Sequence, residues 1–184
     1  MTYSKNELPF AHAIANAVLG NAAFRAYLLE ETPFAGASYT PVPADVQAKL
    51  RSKNMKNPYW FNYFRNKPTC PCCSGKGAET DVLIVSESAD AKRLALHFEI
   101  KTPIGKLEEN QAEKYPRRAE CWASPATRPN FIPPHDAALT FLIGGRVLQS
   151  DPRIAHFDRT IYYDEIEQYA PTASLTPSGN PSHR

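Results

Sequence analysis

Two β-rich runs joined by a short polar link constrain this chain more than any other feature. Arg93 to Lys101 (R-L-A-L-H-F-E-I-K) alternates with period two. Leu94, Leu96, Phe98 and Ile100 therefore share one face of a strand, and Ala95, His97, Glu99 and Lys101 share the other. Thr80 to Ser86 (T-D-V-L-I-V-S) is equally β-rich, and the link from Glu87 to Lys92 is short enough for an antiparallel hairpin. A turn centred near Asp90 sets Asp81 across from Glu99. Facing side chains of such a pair sit about 5 Å apart, and Lys101 points the same way as Glu99. Two carboxylates and one ammonium then converge at the open end of the hairpin.

That convergence has a chemistry. Two charged carboxylates in a dry site repel each other, and a divalent cation removes the repulsion. Mg²⁺ takes one or two carboxylates, several waters and the phosphate oxygens of a substrate. A lysine beside it can orient or deprotonate water, or stabilise the charge that develops on a phosphorane. These are the parts that phosphodiester hydrolysis needs. An isolated E-x-K is common on solvated strands. Here the opposite face of the strand is apolar and an aspartate lies on the preceding strand, which favours a site.

Around the hairpin the pattern is that of an α/β domain. Glu7 to Glu30 reads as one helix with an apolar face through Phe10, Ile14, Val18, Phe24 and Leu28, with Asn6 as its N-cap. Thr32 to Pro43 reads as loop, and Ala44 to Asn57 as a second helix that Pro58 breaks. Lys106 to Tyr115 is helical until Pro116 ends or bends it. Ala138 to Ile143 is a buried strand closed by Gly144-Gly145, and Arg159 to Tyr163 is another, followed by a short helix from Asp164 to Tyr169. The tail 171–184 is rich in Pro, Ser, Thr, Gly and Asn and is expected to be disordered.

Asp81 followed on the next strand by Glu99-Ile100-Lys101 resembles the D-(x)n-(D/E)-x-K signature of the PD-(D/E)xK, or restriction-endonuclease-like, nuclease superfamily. Thr80 stands where the signature often has proline. Gln111-Ala112-Glu113-Lys114-Tyr115 is similar to the Q-x-x-x-Y motif that follows the lysine in RecB-like members, and i, i+4 spacing puts Gln111 and Tyr115 on one helix face. The resemblance covers about Glu7 to Tyr169. It implies a restriction-endonuclease-like mixed β-sheet flanked by helices, in a single domain over 1–170. It implies Mg²⁺ or Mn²⁺ held by Asp81, Glu99 and the Ile100 carbonyl, with Lys101 serving the attacking water. Members often place a further acidic ligand on the first helix, which would be Glu7. A first-turn glutamate favoured by the helix dipole is the competing explanation. His97, deeper in the hairpin, reads as a hydrogen-bonded core histidine.

Charge adds a substrate. Val46 to Ala78 contains no acidic residue, yet holds Lys49, Arg51, Lys53, Lys56, Arg65 and Lys67 among its cations, interleaved with Tyr59, Trp60, Phe61, Tyr63 and Phe64. The segment 30–78 therefore reads as a helical, basic-aromatic insertion. Its cations could contact a phosphate backbone and its rings could stack on bases. A solvated basic face over an aromatic core helix explains the same residues. DNA is the favoured substrate. With 184 residues and no separate recognition domain in view, weakly specific or structure-directed cleavage is expected, alone, as a homodimer or with a partner protein.

Within the same insertion, Cys70-Pro71-Cys72-Cys73 resembles half of a zinc knuckle, which Cys121 could help complete as a structural Zn²⁺ site; reduced thiols are the alternative. The polar N-terminus does not open a secretory signal and no apolar run has transmembrane length, so a cytoplasmic protein without membrane contact is expected. Two other functions remain open: a nuclease-like DNA-binding or assembly subunit without catalysis, and a zinc-braced interaction domain.

Overall fold

The computed structural model describes residues 6–51, 57–65 and 78–171. Its frame is the expected hairpin. β3 (Ala78–Ser88) and β4 (Arg93–Ile100) pair antiparallel from Glu87↔Arg93 to Val82↔Phe98. The paired register ends there; Asp81 lies one residue beyond it and takes the Ile100 amide with its carboxylate rather than with its backbone. β4 then pairs in parallel with β5 (Ala137–Gly144), and β5 in parallel with β6 (Arg159–Tyr162).

Two further strands come from the segment read as an insertion, one from its expected loop and one from its aromatic run. β1 (Tyr39–Pro41) and β2 (Phe61–Arg65) both pair antiparallel with β3. Phe61–Arg65 of the aromatic run is thus a strand, with Phe61 and Tyr63 both buried, and with β1 it extends the sheet beside β3. β-rich aromatics suit a pleated, half-buried surface better than a helix. The expected helix from Ala44 shrinks to α3 (Ala44–Ala48). The result is one small α/β domain built on a mixed sheet, as expected at that level.

The strand alternation sorts the core into two layers. Val82, Ile84, Leu94, Leu96, Phe98 and Ile100 pack under α1 (Leu8–Gly20) and α2 (Ala22–Leu29). Leu83, Val85 and Ala95 pack on the other side against Cys121 and Trp122 of α4 (Gln111–Ala123). α1 and α2 replace the single helix expected over this stretch. The break is at Asn21, which adopts an extended conformation and accepts hydrogen bonds from the amides of Ala23 and Phe24 at 3.0 and 3.2 Å. This is an N-cap that begins a new helix.

α4 differs in the other direction. It starts at Gln111, five residues later than expected, and runs through Pro116 to Ala123. An interior proline costs a helix about 3 kcal/mol. Burial of Ala119, Cys121 and Trp122 beyond it offsets that cost. α5 (Tyr163–Ile166) follows β6 directly. Among the described residues, no helix is long and apolar enough to cross a membrane.

Candidate active site at the end of the hairpin

The site forms where β4 runs out. Lys101, just past the strand, is anchored by its amide, which donates to the Ile143 carbonyl at 2.8 Å. That bond faces β5, so the alternate residue Ile100 turns its backbone towards β3. There its amide donates to Asp81 Oδ2 at 2.8 Å. A strand residue points its N–H and C=O to the same side, so the Ile100 carbonyl also faces the Asp81 side.

Glu99 is the hub. Its Oε1 accepts from Lys101 Nζ at 2.7 Å and from Gln111 Nε2 at 2.6 Å, and its Oε2 accepts from the Tyr115 hydroxyl at 2.6 Å. Both helix residues thus reach the site from the first two turns of α4. Glu7 enters from the other layer. It occupies the N-cap position of α1 but makes no capping hydrogen bond, and Asn6 does not cap the helix. Instead Glu7 Oε1 lies 3.7 Å from Lys101 Nζ. Asp81, Glu99 and Lys101 are 6, 2 and 6% exposed.

Electrostatics follow from this burial. Desolvation pushes the Asp81 carboxyl well above the usual carboxylate range, and the Glu99 charge adds to it. Burial likewise raises Glu7, against the pull of Lys101. Burial alone would lower the Lys101 pKa, but Glu99, Glu7 and Asp81 together outweigh it and hold the ammonium more firmly charged than usual. Burial and the Glu99 charge push Tyr115 well up, so its hydroxyl stays a donor.

Two features near the lysine have no local signal in the sequence. The Tyr163 hydroxyl, at the start of α5, donates to the Lys101 carbonyl from 62 residues away in sequence. Gly145 packs against the turn 102–105 that follows Lys101. A Cβ at Gly145 would lie 1.8 Å from the Pro103 carbonyl oxygen, so only glycine permits this approach. The turn itself is closed by the Gly105 amide donating to the Thr102 carbonyl at 2.9 Å.

Other expected residues have other tasks or positions. Arg51 donates to the Tyr59 and Phe61 carbonyls at 2.8 and 2.6 Å and lies 3.9 Å over the Tyr63 ring, which commits its guanidinium within the protein. Lys49 is exposed and pairs with Asp45 at 3.0 Å. Lys53, Lys56 and Lys67, and the side chain of Arg65, lie outside the described residues, as do Cys70 and Cys73. Cys121 is buried among Tyr63, Leu83, Trp122 and Ile132. His97 is buried as expected, with Nδ1 3.5 Å from Thr80 Oγ1, but its Nε2 has no hydrogen-bond partner among the described residues.

Asp81, Glu99 and Glu7 are the residues here that could hold a divalent cation. Three carboxylates face one ammonium, which leaves a formal excess of two negative charges if all are ionised. A carboxylate offers about four acceptor positions. Glu99 uses three of these and Asp81 one. Oxygen donors of this kind select Mg²⁺ or Mn²⁺ over softer metals. Among the described residues, no three or more His, Cys, Asp or Glu side chains form a group that could hold a metal ion by themselves. Mg²⁺ does not require one, because it keeps several waters and uses substrate oxygens.

No protein-family model, curated protein or solved structure matches this chain.

Proposed function

We propose that the chain is a metal-dependent nuclease of the PD-(D/E)xK type that hydrolyses phosphodiester bonds, with DNA as the favoured substrate. One observation carries the reading. The two carboxylates and the lysine named by the motif meet at one buried point, and the Gln and Tyr of the second motif both bond to the same glutamate. The order of elements supports it too: an antiparallel hairpin bearing the acids, then a helix bearing Gln111 and Tyr115, then a parallel strand.

In this reading Asp81, Glu99 and the Ile100 carbonyl would hold Mg²⁺ or Mn²⁺. When bound, the ion supplies Lewis-acid charge at the scissile phosphate and a more acidic water. The chain's own residues do the rest. The Ile100 amide aims Asp81, and Gln111 and Tyr115 aim Glu99. Lys101, held charged, acts as a donor rather than a base: its ammonium steadies the attacking water or the phosphorane oxygens as negative charge grows there. Glu7 completes the acidic rim. Tyr163 and Gly145 keep the Lys101 segment in register with β5.

The test is cleavage of linear, circular and single-stranded DNA and of RNA, each with EDTA, Mg²⁺ or Mn²⁺, by wild type and Lys101→Met. Cutting that requires the metal and is lost in the variant is the expected result. Equal cutting by both proteins places the activity elsewhere. The three donors already held by Glu99 favour a second reading, a nuclease-like binding or assembly subunit. That reading gains if wild type binds nucleic acid but cuts none of these substrates.

A further inference from the structure

One turn beyond Tyr115, α4 carries Arg118, which is 2% exposed. A buried guanidinium is costly unless a carboxylate or several acceptors compensate it. Among the described residues Arg118 has no ion pair, and its Nε and one terminal nitrogen, Nη2, have no hydrogen-bond partner. Its neighbours do not supply one. No hydrogen bond joins it to His97, whose Nε2 is likewise without a partner among the described residues, and the Trp122 indole is itself a donor. What Arg118 does have is a face. Its guanidinium carbon lies 3.9 Å from the centre of the Tyr115 ring and 5.7 Å from that of Trp122.

Tyr115 is the residue whose hydroxyl donates to Glu99 Oε2 at 2.6 Å and reaches the Phe98 carbonyl at 3.3 Å. A planar cation against a phenol ring limits its rotation and draws charge from it, which strengthens the O–H as a donor. We infer that Arg118 is a positioning residue for the divalent-cation site, clamping Tyr115 so that its hydroxyl stays on Glu99. The inference rests on the divalent-cation reading above. It extends the positioning set to a residue that belongs to neither sequence motif. It also explains why a cation is buried where the fold alone gains little from one.

The experiment is a double-mutant cycle on Mn²⁺ affinity, measured by titration calorimetry on the full chain, with thermal midpoints in EDTA recorded beside it. Residues that orient metal ligands change affinity by about 10–100-fold when removed. Arg118→Met, of similar length and apolar, should bind Mn²⁺ roughly 10-fold more weakly with a thermal midpoint no lower than wild type. Tyr115→Phe should weaken binding to a similar extent, and the double variant should be no weaker than Tyr115→Phe alone. Arg118→Lys, which keeps the charge but not the plane, should fall between wild type and Arg118→Met. Additive losses in the cycle would overturn the inference, because Arg118 would then not act through the Tyr115 hydroxyl. So would a fall in thermal midpoint with unchanged affinity, which is the signature of a packing role. If wild type itself binds no Mn²⁺, the divalent-cation reading falls first and takes this inference with it.

Discussion

Replacing Lys101 by methionine tests how the buried charges are balanced. The Lys101 side chain is 8% exposed and its ammonium sits 2.7 Å from Glu99 and 3.7 Å from Glu7. Removing one partner of a buried pair costs about 3–5 kcal/mol. A domain of this size loses about 2–4 °C per kcal/mol, so the midpoint in EDTA at about pH 8 should drop by roughly 6–20 °C. The loss should depend on pH. Asp81 and Glu7 both have raised pKa values, chiefly through burial. An acid raised in this way binds more protons when folded than when unfolded. Its stabilising share is complete below the ordinary carboxylate range and is lost as pH rises through the folded pKa. In wild type the Lys101 ammonium offsets much of that loss. Lys101→Met should therefore melt close to wild type at about pH 4 and fall behind as pH rises. Mn²⁺ should restore the variant more than wild type, because the ion takes over the balancing charge. Calorimetric scans at both pH values, with EDTA and with Mn²⁺, measure all of this. An equal deficit at both pH values, or none at either, would refute the reasoning.

Three further substitutions probe the surroundings. Asp81→Asn keeps an acceptor for the Ile100 amide, which donates at 2.8 Å, but removes a buried charge facing Glu99. Its metal-free form should melt above wild type at about pH 8 and gain little from Mn²⁺ in a thermal-shift assay. Gly145→Ala forces a Cβ towards the Pro103 carbonyl. Urea denaturation should show a loss of about 1–3 kcal/mol, and cleavage should fall because the Lys101 segment moves. Tyr163→Phe deletes the bond to the Lys101 carbonyl. Stability should drop by about 0.5–1.5 kcal/mol in the same denaturation assay, with Mn²⁺ affinity nearly unchanged.

The parts of this structure that could be read from the sequence are those with a short period. The two-residue alternation of 93–101 sorts Leu94 to Ile100 from Ala95 to Lys101, and the folded strand keeps that sorting. The alternation brings Glu99 and Lys101 together, and i, i+4 spacing brings Gln111 and Tyr115 to the same glutamate. What escaped depends on partners far away in sequence. Phe61–Arg65 is a strand because β3 offers it an edge, and its β-prone aromatics do not by themselves name that partner. α4 passes Pro116 because Trp122 and Cys121 find a core on the sheet. Gly20-Asn21 carried a local signal, a cap that splits the first helix, and the continuous apolar face concealed it. Arg118 and Tyr163 look like ordinary helix and strand-end residues until the fold brings them to Tyr115 and Lys101.

The most direct test of the central claim, that three carboxylates gather around one ammonium to take a divalent cation, is calorimetric titration of Mn²⁺ into wild type and Asp81→Asn at about pH 8. The expected result is saturable binding by wild type, at a stoichiometry of about one or two ions per chain, that is lost or severely weakened in Asp81→Asn. No binding by wild type, or equal binding by both proteins, would contradict it.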